Sequence, residues 1–514
     1  MTHIANLLLQ LGLILILTTV LHARPLSRPQ AEIVGSSTAS LGFKSLPWGF
    51  NITNAQLQVN GTLPSWLSGS LYRNGPGLYP NIERPHWFDG FGYLQGFHFA
   101  AGEVTYNTHF VGSTPYNQSR PTSAPVDPCK AVLGNAQSEY VPHLSSKHRR
   151  SEGSPNTGVT LNEVNGVFLS NTASTVSNQF DPKTLGDVAT PFVFGPNNDN
   201  LPGFSPEHRH VDPWGNLYHF GYVFGSNPSY MLYWIPSGTL TRKVLSVAPV
   251  VPQMSQPSYL HSFCLTNQFL VLSDIPVQIP LPLDWSKFRM AQDVPTTWRA
   301  FNRKTGHEVF NWTSPPFFMF HHINCYEDVY DNSIVVDLIT YPDVTIMGDL
   351  YLDVLINQPS EVMTAAWNGR ANRYKLPMNE PGAVVEGTEI SSFPAELPTI
   401  NYDTYNTQPY RYFYAISVSS LNVDFFDQLI KVDSQTGTTT VWTQPNTYPG
   451  EPIFVAAPDA QAEGDGVVLS VVLDPSASGS FLLILNATTF TEIGRANTPN
   501  YAPFGFHGMY SYHN

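Results

Sequence analysis

Asn302-Arg-Lys-Thr-Gly306 reads as a tight turn between two strands, and near copies of it return along the chain. They are Asp181-Pro-Lys-Thr-Leu185, Ile235-Pro-Ser-Gly-Thr239, Asp433-Ser-Gln-Thr-Gly437 and Asn486-Ala-Thr-Thr-Phe490. Asx, Pro, Gly and Thr belong in such turns because they accept tight dihedrals or bond locally to the backbone. The intervals between first residues are 54, 67, 131 and 53. The long interval is twice the others, with Asn368-Gly-Arg370 at its midpoint, and a hairpin at Ala101-Gly-Glu103 adds one more unit. Seven units of about 64 residues, with several strands each and no helical heptads, spell a β-propeller rather than unrelated hairpins in a sandwich. The expected fold is all-β, a seven-bladed propeller with loops and short helices capping one face.

Four histidines keep the same ruler. His208, His261, His321 and His507 sit in short segments that read as strands and are separated by 53, 60 and 186 residues, or one, one and three units. Each is then expected on the innermost strand of its blade, close to the axis. A buried imidazole needs a partner, and several meeting at one point suggest a metal. Imidazole suits Zn, Cu, Fe and Ni. Four neutral imidazoles leave a dication its full charge and, in an octahedral ion, two open positions, which suits ferrous iron, one per chain. A ligating imidazole needs an acceptor behind its other nitrogen. Glu396 and Glu451 stand in apolar strand contexts suited to that task.

Composition narrows the setting. The chain has 514 residues, 12% charged and 13% aromatic, with a formal charge of −14. That charge argues against nucleic acid as a partner. Residues 1–23 read as a signal peptide, with an apolar stretch from Leu7 to Val20 and a small residue at Ala23, although no Lys or Arg precedes it. Residues 24–45 read as a polar linker and 46–514 as one domain. The chain is therefore expected to be secreted, the alternative being membrane association within the secretory pathway. Sequons at Asn51, Asn60, Asn117, Asn311 and Asn486 are glycosylation candidates. Cys264 and Cys325, close to His261 and His321, read as buried free thiols. Residues 143–157 read as a solvated loop.

Many segments, in order, resemble the carotenoid cleavage oxygenases. They include Gly69-Ser-Leu-Tyr-Arg-Asn-Gly-Pro-Gly77, His86-Trp-Phe-Asp-Gly90, Asp127-Pro-Cys-Lys130, His208-Arg-His-Val-Asp212, Ser258-Tyr-Leu-His-Ser-Phe263, Phe320-His-His-Ile-Asn324, Glu396-Leu-Pro-Thr-Ile-Asn-Tyr402, Gly450-Glu-Pro-Ile-Phe-Val455 and Phe506-His-Gly508. The resemblance implies Fe(II) on the propeller axis and cleavage of a conjugated double bond by O2 to two carbonyl products. It places the ligands at His208, His261, His321 and His507, not at His210 or His322, and the supporting glutamates at Glu396 and Glu451. A third glutamate of the family falls on Ala173, so the His261 imidazole is expected to lack that carboxylate partner, with a water, Thr172 or a neighbouring strand as its substitute.

The resemblance also implies an apolar tunnel, for which Phe317, Phe318, Phe320 and Phe506 are candidates. Leu281, Leu283, Trp285 and Phe288 are candidates for an apolar mouth that takes substrate from a membrane. Carotenoids and apocarotenoids are the leading substrate class, with stilbenes and related phenylpropanoid alkenes second. A secreted propeller that binds a lipophilic ligand or a glycan without chemistry is the reading from another class.

Overall fold

The computed structural model describes residues 38–120, 154–195, 202–357, 367–420 and 423–512. The expected signal peptide, Cys129 and Lys130 lie outside them. The described strands form seven antiparallel sheets, the blades of a propeller. In chain order, blades two to six begin at Thr160–Val164, His210–Val211, Cys264–Leu265, Phe318–Asp328 and Glu396–Thr399, each of four consecutive strands. The first and last blades are stitched by the chain ends. Gly508–Ser511 adds the inner edge to the first blade, pairing with Gly69–Leu78, while Gln58–Gly61 adds the outer edge to the last, pairing with Thr491–Asn497.

The repeated turn has one physical form. Asp181, Asn302, Asp433 and Asn486 each accept two backbone N–H groups, from the residues two and three further on, at 2.8–3.2 Å. In each, the fifth residue returns its N–H to the carbonyl of the first, at 2.7–2.8 Å. That fifth residue (Leu185, Gly306, Gly437 or Phe490) has φ between 57° and 73°, the left-handed region. Each turn joins the last two strands of a blade's antiparallel run. Asn368-Gly-Arg370 does not match them. It ends a long connection between Ser333–Tyr341 and Arg370–Pro377, and the corresponding turn of that blade lies at 378–387. The long connection carries two short helices, Thr345–Asp349 and Leu352–Asn357, which help to cap the hub.

Three expectations change. Thr38–Phe43, inside the stretch read as linker, is a 3-10 turn, and its buried Phe43 packs against Trp87, Phe425 and Phe504. Ser154, Asn156 and Thr157, at the end of the supposed solvated loop, are buried. Cys264 and Cys325 are not free thiols but a disulfide with a Cα–Cα distance of 5.8 Å, because the inner strands of neighbouring blades converge toward the axis. Among the described residues, no helix is long and apolar enough to cross a membrane.

Removing that cross-link, by Cys264→Ser with Cys325→Ser, is expected to lower unfolding stability by about 2–4 kcal/mol. Urea unfolding monitored by tryptophan fluorescence measures it. An unchanged midpoint would show that the bridge contributes nothing.

Candidate metal centre

The inner strands deliver four imidazoles to one point. His321 lies within Phe318–Asp328, while His208, His261 and His507 stand just ahead of the inner strands of blades three, four and one. One ring nitrogen from each lies within 4.8 Å of the others. Ring centroids of adjacent pairs are 4.4–5.0 Å apart.

Three rings are fixed from behind. His321 Nδ1 faces Glu396 at 2.6 Å, His507 Nδ1 faces Glu451 at 2.7 Å, and His261 Nδ1 faces Glu207 at 3.1 Å. Each contact joins neighbouring blades. An imidazole whose Nδ1–H donates outward carries its free lone pair on Nε2. The Nε2 atoms of His208 and His321 are buried without a partner. Unpaired buried acceptors are costly, and lone pairs aimed at one point accommodate a cation. The chemistry of the donor set therefore fits a divalent metal held by His208, His261, His321 and His507.

The carboxylates are themselves anchored. Glu396 accepts from Tyr341 Oη at 2.7 Å and from the Leu397 amide at 2.8 Å. Glu451 takes the buried Arg73 guanidinium at 2.5 Å and the Gly508 amide at 2.8 Å. Arg73 also reaches the Phe506 carbonyl at 3.2 Å, so the strand Gly69–Leu78 clamps both Glu451 and the His507 segment. Gly508 has to be glycine here: a Cβ would lie 2.6 Å from the Tyr72 carbonyl and 2.7 Å from Arg73 Cδ.

Burial sets the protonation states. It drives His208 well below its ordinary value, helped by the other three imidazoles. Burial also outweighs Glu451 at His507 and leaves it at about 4. Burial works to raise Glu396 and Glu451, but His321 on the first, and His507 with Arg73 on the second, outweigh it and hold both below the usual carboxylate range. Neutral imidazoles backed by carboxylates are what a metal requires.

His210 and His322 stay out of the centre. His210 bonds Tyr402 Oη and the Phe263 carbonyl at 3.0 and 2.8 Å, and His322 Nδ1 lies 2.8 Å from Ser262 Oγ. Burial lowers them to about 4 and about 3.

The expected defect at His261 is absent. Ala173 is small and partly buried, and it provides no carboxylate. Glu207 supplies one instead, and the Tyr259 hydroxyl lies a further 3.1 Å from the same Nδ1. The sequence does not single out Glu207: it adjoins a ligand, and neighbouring residues of a regular strand point to opposite faces. At 207–208 the regular strand has not begun, so that alternation does not hold.

The centre lies between two cavities. The apolar one, of about 60 Å³, is walled by Trp87, Phe88, Phe320, Leu350, Trp367 and Phe506 over His261, His321 and His507. The other, of about 290 Å³, mixes polar and apolar walls and is bordered by His208, His210, His322 and Tyr402. Of the phenylalanines proposed for the tunnel, Phe320 and Phe506 line the apolar wall. Phe317, just ahead of the strand, packs on Trp298 and Tyr374, and Phe318 packs edge-on against Phe320, the strand being irregular between Met319 and His322. Trp87 and Phe88 went unread as wall residues, although they belong to a motif the sequence displays.

Leu283 and Trp285 line a third cavity of about 30 Å³ that Glu207 also borders. Trp285 and Phe288 are not an exposed mouth. Trp285 is buried, stacked on His86 and bonded to Asp89 at 3.1 Å, and Phe288 is buried against Tyr259; Leu281 is partly buried against the core. The sequons Asn51, Asn60, Asn117 and Asn311 are exposed, and Asn486 is half-covered.

Fold and site together define a seven-bladed propeller with a tetra-histidine centre at its hub. The chain belongs to the carotenoid oxygenase family: residues 47–512 match the model described as RPE65, retinal pigment epithelial membrane protein. It is 31% identical to a carotenoid isomerooxygenase of Galleria mellonella over 88% of this chain and 92% of that protein. It is also 31% identical to a Gallus gallus beta,beta-carotene 15,15'-dioxygenase, over 88% and 94%. Among solved structures, the lignostilbene dioxygenase of Pseudomonas brassicacearum aligns with a TM-score of 0.76 at 20% identity, covering 95% of this chain and all of that one. Cobalt-substituted Synechocystis apocarotenoid oxygenase aligns with a TM-score of 0.73 at 21% identity, covering 93% and 98%.

Arg73→Met is expected to strand Glu451 as a buried anion and cost about 3–5 kcal/mol of stability, read by urea unfolding. A loss below about 1 kcal/mol would rule out the clamp. Acid should act late. His507 is lowered in the fold, so its neutral form stabilises the protein fully above its ordinary value near 6.5 and ceases to do so as pH falls through about 4. A metal competes for the same lone pair. Cobalt-loaded protein is therefore expected to keep its metal at about pH 5.5 and release it toward about pH 4, measured after gel filtration. Release beginning near pH 6.5 would contradict the burial argument.

Proposed function

We propose that the chain is a non-haem Fe(II) dioxygenase that cleaves a conjugated carbon–carbon double bond of a carotenoid or apocarotenoid with O2, giving two carbonyl products. The observation that carries the reading is the apolar, aromatic-walled cavity directly over a four-imidazole centre. The names of the relatives at about 30% identity support the substrate class.

Bound Fe(II) would supply the activation of O2. The chain does the rest. His208, His261, His321 and His507 would hold the ion without adding negative charge, leaving positions for O2 beside the substrate. Trp87, Phe88, Phe320 and Phe506 would grip an extended alkene and exclude water, so that the oxidant meets the double bond. No side chain needs to shuttle a proton. Glu207, Glu396 and Tyr341, the other titratable groups in that wall, are already bonded within the centre. Among the described residues of that wall none is left to select a phenol, which favours a polyene over a hydroxystilbene.

We place the protein in the secretory pathway, as its N-terminus suggests. A disulfide and exposed sequons support that location.

The test is a panel of carotenoids, apocarotenals and hydroxystilbenes given to iron-loaded protein under air, with products identified by chromatography and mass. Aldehydes or ketones from polyenes, dependent on iron, are expected. Cleavage of hydroxystilbenes alone would move the substrate class, and no product from any member would favour a binding propeller. Phe506→Ala is expected to lower kcat/KM for the best polyene by about 10-fold or more, through lost packing on the substrate.

A further inference from the structure

We infer that Glu207 is the positioning residue of the His261 ligand, and that it has taken this duty in exchange with position 173. The inference rests on the metal reading proposed above.

Three observations carry it. The Glu207 carboxylate is buried and lies 3.1 Å from His261 Nδ1. Ala173 lines the same small cavity as Glu207 and Tyr259, the two residues that contact His261 Nδ1, so a longer side chain at 173 would enter the space that both border. With Glu207 included, three carboxylates would face a bound dication and the Arg73 guanidinium, so that charge would balance at the hub. Without it, the buried centre would carry an uncompensated positive charge, which is costly in a dry interior.

The exchange has a structural consequence. Glu207 is bonded in sequence to the ligand His208 while its side chain holds the ligand His261. One dipeptide therefore fixes two ligands from adjacent blades, and the backbone bond from the His208 amide to the His261 carbonyl, at 3.4 Å, ties the same two segments. The place left at Ala173 belongs to the cavity bordered by Phe204, Leu283 and Trp285. Moving the carboxylate thus opens room beside the hub while keeping the imidazole oriented. Tyr259 is the competing partner, since its hydroxyl also approaches Nδ1.

The test titrates apo-protein with Co2+ and follows both stoichiometry and the visible absorption of the bound ion, which reports ligand geometry and which a merely structural role would leave in place. Glu207→Ala and Glu207→Gln are expected to weaken cobalt binding by about 10–100-fold and to shift the bands. Tyr259→Phe should change affinity by less than about 3-fold. The double variant Ala173→Glu with Glu207→Ala should regain affinity and spectrum. Circular dichroism checks that each variant is folded. Wild-type affinity in Glu207→Ala would overturn the assignment. Weak binding that the double variant fails to restore would overturn the exchange. A wild-type protein that takes up no cobalt would overturn the metal reading itself, an outcome distinct from both.

Discussion

Four imidazoles brought to one point at the hub, with the Nε2 atoms of His208 and His321 buried and unpartnered, form an arrangement that a shared cation would stabilise. The rest of the molecule can be understood as the means of enforcing it. Seven blades converge on an axis, and their inner strands bring together residues spread from His208 to His507. The terminal strands of the first and last blades are exchanged by the chain ends, so the ring is closed by backbone hydrogen bonds. A closed ring resists the outward relaxation by which four crowded imidazoles would otherwise relieve themselves.

Between hub and ring lies a layer of carboxylates that settles which nitrogen faces inward. Glu207, Glu396 and Glu451 each reach from one blade to a histidine on the next. Glu396 and Glu451 are in turn held by Tyr341, by backbone amides and by Arg73. Polar groups meet the centre from this layer and from the cavity behind it. On the other side aromatic residues meet the centre directly, so charge is balanced on one face and water is kept from the other.

Much of this was legible in the sequence because a propeller writes its period into its turns. The Asx turns at Asp181, Asn302, Asp433 and Asn486 are one structure repeated four times, and their spacing counts the blades. The fifth blade hid its turn because a helical insertion lengthens an earlier connection, which drew the reading to Asn368. The histidines were legible because apolar neighbours flank them at matching intervals. Less legible were contacts that depend on where a strand begins. Glu207 escaped for that reason, and Phe317 and Phe318 were misplaced because the strand begins at Phe318 and is irregular between Met319 and His322, so the motif does not convey which aromatic ring faces a cavity. Pairing of Cys264 with Cys325 depends on convergence between blades, which spacing along one chain does not convey.

Anomalous diffraction at the iron edge, from crystals of protein purified anaerobically with Fe(II), tests the central claim most directly. The account predicts a single strong peak at the hub, within bonding distance of the Nε2 atoms of His208, His261, His321 and His507. An empty hub in fully loaded crystals, or an ion bound elsewhere or through fewer of these rings, would contradict it.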